Sequence, residues 1–260
     1  MNYYNENDDK AAAWLRELIS RGLIPDGHVD SRSITEVKPD EIKGYTQCHF
    51  FAGIGGWSYA LELAGWLPRT PVWTGSCPCQ PFSSAGKGLA QKDERHLWPI
   101  FFDLIRQCRP EHVIGEQVAS AIGHGWLDGV SSDLEAEGYA CGAAVLGAHS
   151  VNAPHQRQRL YWVAHNEGSE LQRERAVEGR VQSGPANSGG DTFEPTGFWS
   201  DSQLVHYRDG KTRRVPTEPA FFPLAHGIPS RVVRLRGYGN AIVPQVAAEF
   251  VKAYTDITEI

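Results

Sequence analysis

The amino-acid sequence predicts an α/β fold, a doubly wound and mostly parallel sheet with its site at the carboxyl ends of the strands. Three observations predict it. Short apolar runs alternate with helical periodicities between residues 45 and 164. Within that stretch Phe51-Ala-Gly-Ile-Gly-Gly56 stands between an apolar run and an amphipathic one, and strand, glycine turn, helix is the layout of a nucleotide- or cofactor-binding unit. Finally, a segment rich in Gly, Ser, Pro and charge interrupts the pattern at 165–224 before regular periodicity returns, so a small region with one β-hairpin is set into the α/β body.

The elements follow in order. Residues 9–22 read as an amphipathic helix with Trp14, Leu15, Leu18 and Ile19 on one side and Gly22 near its end, followed by a polar stretch to Gly44. Residues 1–44 are thus expected to form an N-terminal helical extension. Thr46–Phe51 reads as a buried strand, Trp57–Ala64 as a helix and Val72–Ser76 as a second strand. Leu97–Gln107 reads as a helix, His112–Ile114 as a strand ending at Glu116-Gln117-Val118, Ser131–Glu137 as a helix, and Ala140–Leu146 and Leu160–Ala164 as strands. The α/β body is therefore drawn at 45–164, with a small inserted region at 165–224 and a return to the α/β body at 225–260. In the inserted region Leu204–Arg208, the turn Asp209-Gly210 and Lys211–Val215 read as a hairpin, and Gln245–Tyr254 closes the chain as a helix.

The 260 residues suffice for one large α/β domain, and a 41% hydrophobic content with eight tryptophans argues for a packed body. A formal net charge of -6 argues against a nonspecific polyanion binder. The charge is uneven, however: residues 1–50 are net acidic and 157–236 net basic, which suits either a local nucleic-acid surface or a solvated charged face. Five cysteines, at 48, 77, 79, 108 and 141, form no disulfide framework, and neither a leader peptide nor a long apolar span is evident. The expected setting is cytoplasmic, with reduced thiols and no membrane partner. No metal site is expected, because His149 and His155 do not complete a Cys/His ligand set.

The most informative run is Gly75-Ser76-Cys77-Pro78-Cys79-Gln80-Pro81-Phe82-Ser83. A thiol on a rigid loop shaped by glycine and proline is what nucleophilic catalysis requires. By itself the run equally fits half of a metal site or two buried thiols.

Taken in order, Phe51-Ala-Gly-Ile-Gly-Gly56, Pro78-Cys79-Gln80, Glu116-Gln117-Val118, Arg157-Gln158-Arg159 and Gly239-Asn240-Ala241-Ile242-Val243-Pro244 resemble the ordered motifs of the DNA cytosine-C5 methyltransferases over roughly 45–165 and 225–255. The resemblance implies a Rossmann-like methyltransferase fold acting on DNA. It implies Cys79 as nucleophile at C6 of cytosine, with Cys77 a buried small residue. Glu116 becomes the acid that holds ring N3, Arg159 the arginine on the base carbonyl or its phosphate, and Arg157 the one that orients the glutamate. It also implies a cofactor site from Phe51, Gly53, Ile54, Gly55, Gly56, Pro78 and Asn240, with S-adenosyl-L-methionine as the default donor. The target atoms lie inside the base stack, so the nucleotide must rotate out. The loop 83–97, with Ser83, Lys87 and Arg95 following Gln80, is expected to close over the extruded base, while Arg208, Lys211 and Arg213 at the hairpin reach phosphate or a guanine edge. A compact enzyme of this kind suits a phage or mobile element.

Three departures stand out. His155 replaces the usual glutamine before Arg157, and Glu116-Gln117 replaces Glu-Asn with one methylene more. The largest lies between Gly56 and Cys77, where the family has two further strands carrying acids for the cofactor ribose and adenine. Leu67–Thr74 offers no carboxylate and Glu62 falls inside a helix, so the sheet is expected to be truncated, short of an edge. The missing contacts then come from the first 44 residues, or from a second subunit in a homodimer. Alternatively the donor differs, with methylenetetrahydrofolate giving a hydroxymethyl group by the same cysteine chemistry. A degenerate chain that binds DNA or a partner subunit without turnover is a further alternative.

Overall fold

The computed structural model describes residues 1–78, 97–153, 155–166, 202–206, 212–216 and 241–258. In chain order the elements are β1 (Asn2–Asn5), α1 (Asp9–Ser20), β2 (Gly27–Asp30), the single turn α2 (Pro39–Ile42), β3 (Gln47–Phe50), α3 (Gly56–Ala64), β4 (Val72–Gly75) and α4 (Trp98–Cys108). Next come β5 (His112–Val118), α5 (Trp126–Ala136), β6 (Tyr139–Leu146), β7 (Arg159–Asn166), the antiparallel hairpin β8 (Ser202–His206) and β9 (Thr212–Pro216), and α6 (Pro244–Thr258).

Seven strands form one sheet in the order β2-β1-β3-β4-β5-β7-β6. All neighbours are parallel except β7, which runs antiparallel to both β5 and β6. The doubly wound, mostly parallel sheet read from the sequence is present. Its truncation is not. Residues 1–44 are more than a helical extension, because β1 and β2 lie beside β3 and fill the sheet on the side where strands were expected to be missing.

The physical reason that Asn-Tyr-Tyr-Asn makes a strand is its place between two others. β1 pairs with β2 through Asn2↔Gly27 and with β3 through Asn2↔Gln47, and all four of its residues are buried. The polar ends that suggest a loop are satisfied across the sheet: Asn2 Nδ2 donates to Gln47 Oε1 at 3.2 Å and Asn5 Nδ2 to the Arg32 carbonyl at 2.9 Å. Tyr3 and Tyr4 then enter the cores on opposite faces, as the two-residue period of a strand dictates.

Helix α1 starts where Asp8 accepts hydrogen bonds from the Lys10 and Ala11 amides, and it covers Tyr4 with Ala12 and Leu15. Trp14, expected on that buried face, is half exposed. On one side of the sheet α4 and α5 bury Phe50, Trp73, Trp98, Phe101, Trp126 and Trp162, and on the other α3 and α6 bury Trp57, Ile114, Tyr161 and Val163. Gly115 is needed for close approach, since a β-carbon there would overlap the Trp162 ring and the Gly75 carbonyl. Strand β5 runs four residues beyond its expected core to Val118, because Gly115↔Trp162, Glu116↔Tyr161, Gln117↔Leu160 and Val118↔Arg159 extend its ladder with β7.

Candidate active site

Strands β1, β3, β4 and β5 are parallel neighbours, so their carboxyl ends share one edge, and the antiparallel β7 brings its first residue, Arg159, to that same edge. Here the chain collects its polar and turn-forming residues.

At the end of β3 the backbone reverses through Phe51 (φ 52°), Gly53 (φ 56°) and Gly55 (φ 84°). Glycine suits the last two, whereas Phe51 holds the left-handed region at a cost that packing must offset. The turn delivers Gly56 and half-buried Ile54 at the start of α3. Two bonds clamp it to the N-terminal segment: the Ala52 amide donates to the Asn5 carbonyl at 3.0 Å, and the Gly53 amide to Glu6 Oε2 at 2.7 Å. Glu6 Oε1 accepts from the Asp8 amide at 2.9 Å. A carboxylate therefore stands against the glycine turn, supplied from the far end of the sequence. Sequence reasoning missed Glu6, since only the pairing of β1 with β3 points to it.

The second acid in this region has a different employment. Asp30 ends β2 and is buried. Arg32 holds it with Nη2 at 2.7 Å, Tyr3 donates its hydroxyl at 2.8 Å, and Arg32 continues to Glu41 at 3.1 Å. Burial pushes the Asp30 carboxyl up, but the hydrogen bonds from Arg32 and Tyr3 prevail and hold it at about 2. Asp30 is a lock between strand and loop.

On β5, Glu116 is 7% exposed and pairs with Arg159 Nε at 2.8 Å. Burial raises its pKa, with the Arg159 and Arg157 charges and a hydrogen bond from Ser76 opposing. Arg159 is thus a direct partner of Glu116, and Arg157, to which the resemblance gave the orienting role, also acts on it through its charge. Arg157 instead donates through Nη2 to the Ala241 carbonyl at 2.6 Å, tying the loop before β7 to the segment that enters α6. Burial and the neighbouring Arg159 lower the proton affinity of Arg157.

Gln117 explains its own extra methylene. Its Nε2 reaches the Cys77 carbonyl at 3.2 Å while its Oε1 accepts from the Val118 amide at 2.9 Å, pinning the cysteine loop against β5. Cys77 is buried and Pro78 exposed. Cys79, Gln80, Ser83, Lys87, Arg95, Arg208, Lys211 and Asn240 lie outside the described residues. Arg213 stands on β9 opposite Val205.

Residues 67–193 match the model of the C-5 cytosine-specific DNA methylases. The match spans just under half of the chain, which is similar to that family over this stretch. It is 33% identical over 108 residues to the type II methyltransferase M.AplI of Arthrospira platensis, covering 40% of this chain and 31% of that protein. Against the type II methyltransferase M.HhaI of Haemophilus parahaemolyticus the identity is 25% over 169 residues, covering 49% of this chain and 51% of the relative. The chain thus spans a third to a half of the length of these curated relatives. A crystal structure of a Spodoptera frugiperda DNMT2 mutant aligns at a TM-score of 0.42 with 14% identity, over 68% of this chain and 53% of that one. Among the described residues no helix is long and apolar enough to cross a membrane.

Proposed function

We propose that this chain transfers a methyl group to C5 of cytosine in DNA, through a transient bond between Cys79 and C6 of a base rotated out of the duplex. The observation that carries the reading is Glu116: a buried carboxyl whose proton affinity is raised by desolvation, paired with Arg159 on the strand edge that also receives the cysteine loop. A group so placed suits proton delivery to a ring nitrogen.

The Cys79 thiolate adds to C6 while Glu116 places its proton on N3, so the electron pair from the C5–C6 double bond makes C5 nucleophilic. S-adenosyl-L-methionine supplies an electrophilic methyl group for C5 to take. A water molecule takes the C5 proton as the thiolate is expelled and the aromatic ring is restored, and the proton on N3 returns to Glu116. Arg159 keeps the carboxylate oriented throughout, and Gln117 fixes the loop that carries the nucleophile.

The residues present suit that donor. Gly53, Gly55 and Gly56 shape the turn that opens α3, and Glu6, held there by the Gly53 amide, offers a carboxylate, the acceptor that a ribose diol requires. Phe51, Ile54, Pro78 and Asn240 complete the proposed pocket. The argument for methylenetetrahydrofolate, or for a second subunit, rested on missing strands that β1 and β2 supply in the same chain. Arg208, Lys211 and Arg213 of the hairpin are the proposed contacts to DNA, with the loop from Gln80 through Ser83, Lys87 and Arg95 closing on the base.

DNA containing 5-fluorocytosine tests this directly. The wild type forms a covalent adduct in the presence of S-adenosyl-L-methionine and Cys79→Ser forms none; absence of a wild-type adduct with any donor overturns the reading.

A further inference from the structure

Register and packing single out a hydroxyl that no motif accounts for. Gly75 on β4 lies level with Gly115 on β5, so the next residues, Ser76 and Glu116, emerge side by side. Ser76 hydrogen-bonds the Glu116 carboxylate, and Trp57 Nε1, from the first turn of α3, donates to Ser76 Oγ at 3.0 Å. A serine hydroxyl has one hydrogen and two acceptor sites, while an indole N–H only donates. With Trp57 placed on its oxygen, the hydrogen of Ser76 is left to point at the carboxylate. Trp57 is itself buried, and its ring meets Tyr161, the β7 residue opposite Glu116, edge-on at 6.2 Å.

We propose that Ser76, oriented by Trp57, is a positioning residue for Glu116 that sets how tightly this carboxyl holds its proton. The inference rests on the reading of Glu116 as the proton donor. Among the described residues, the groups facing Glu116 are Arg159 and Tyr161 of β7, Arg157 from the loop before it, Ser76 at the end of β4 and the uncharged Trp57 of α3. Arg159 and Arg157 act as fixed charges. The Ser76 hydroxyl is a dipole that can be removed without altering charge, and a hydrogen bond to an ionised partner is strong enough to matter.

The test is a carboxyl ¹³C NMR titration, with the Glu116 signal assigned by its loss in Glu116→Gln. Ser76→Ala is expected to move the Glu116 titration to higher pH by about one unit, roughly a tenfold change in proton affinity. Trp57→Phe moves it the same way by less, because the freed hydroxyl can rotate, and Ser76→Thr leaves it near the wild-type position. An unmoved titration in Ser76→Ala, or an equal shift in Ser76→Thr, overturns the proposal. The pH profile of adduct formation on 5-fluorocytosine DNA should move in step with the titration. A shifted titration in a protein that forms no adduct would uphold the Ser76 assignment and sink the transferase reading, so the two failures are distinct.

Discussion

Glu6 and Glu116 leave parallel strands at the same sheet edge, yet they are held in opposite ways. Glu6 is partly exposed and gripped by two backbone amides, those of Asp8 and Gly53. Glu116 is buried and gripped by a guanidinium, with a hydroxyl beside it. Backbone amides fix a carboxylate as a stationary acceptor, suited to neutral hydroxyl groups of a ligand. Burial against a charge instead makes proton affinity the variable, which suits chemistry. The difference teaches that one edge of a sheet can hold one carboxylate as a fixed acceptor and another with a shifted proton affinity, according to what surrounds each.

The strongest attempt to break this contrast is Glu116→Gln. It should slow adduct formation on 5-fluorocytosine DNA by roughly 10²- to 10⁴-fold, the usual worth of a proton donor, while donor affinity measured by calorimetry stays unchanged. An equal loss in donor affinity would erase the distinction. The reciprocal change, Glu6→Gln, should weaken binding of S-adenosyl-L-methionine by about ten- to a hundredfold, the range for hydrogen bonds to a charged acceptor. In that variant the rate of thiolate addition, followed with saturating donor by rapid quench, should hold.

Asp30 sharpens the comparison, since it stands near Glu6 but is already committed to Arg32 and Tyr3. Asp30→Asn should cost on the order of 1–2 kcal/mol of stability at neutral pH, read by urea unfolding, and should leave donor affinity little changed. The folded carboxyl sits at about 2 against an ordinary value of 3.8, so its stabilisation is complete above about pH 4. It fades as pH falls towards 2, and the gap between variant and wild type should close over that window. The smallest expected effect belongs to Gln117→Asn, which withdraws the amide from Cys77. Losing that one neutral hydrogen bond should slow adduct formation about fivefold without changing the pH profile.

Local chemistry made the base end legible. A glycine turn, a proline-flanked thiol, a carboxylate at a strand end and an Arg-x-Arg pair each announce themselves within a few residues, because the backbone conformations and charges they need are short-range. The division of labour between the arginines was not legible: which guanidinium reaches Glu116 depends on the register of β7 against β5. Gln117 illustrates the same limit, since its extra methylene has meaning only once the Cys77 carbonyl is known to lie within its reach.

By itself, then, the sequence determined the α/β class, the succession of the central strands along the chain and the hairpin. Only the tertiary structure decided that the N-terminal residues complete the sheet and bring Glu6 to the glycine turn. Strand pairing is a bargain between distant segments: Asn2 finds its partners at Gly27 and Gln47, and nothing in Asn-Tyr-Tyr-Asn names them in advance. Four residues give too short a run for periodicity to register, and their polar ends resemble a loop until neighbouring strands and Arg32 satisfy them.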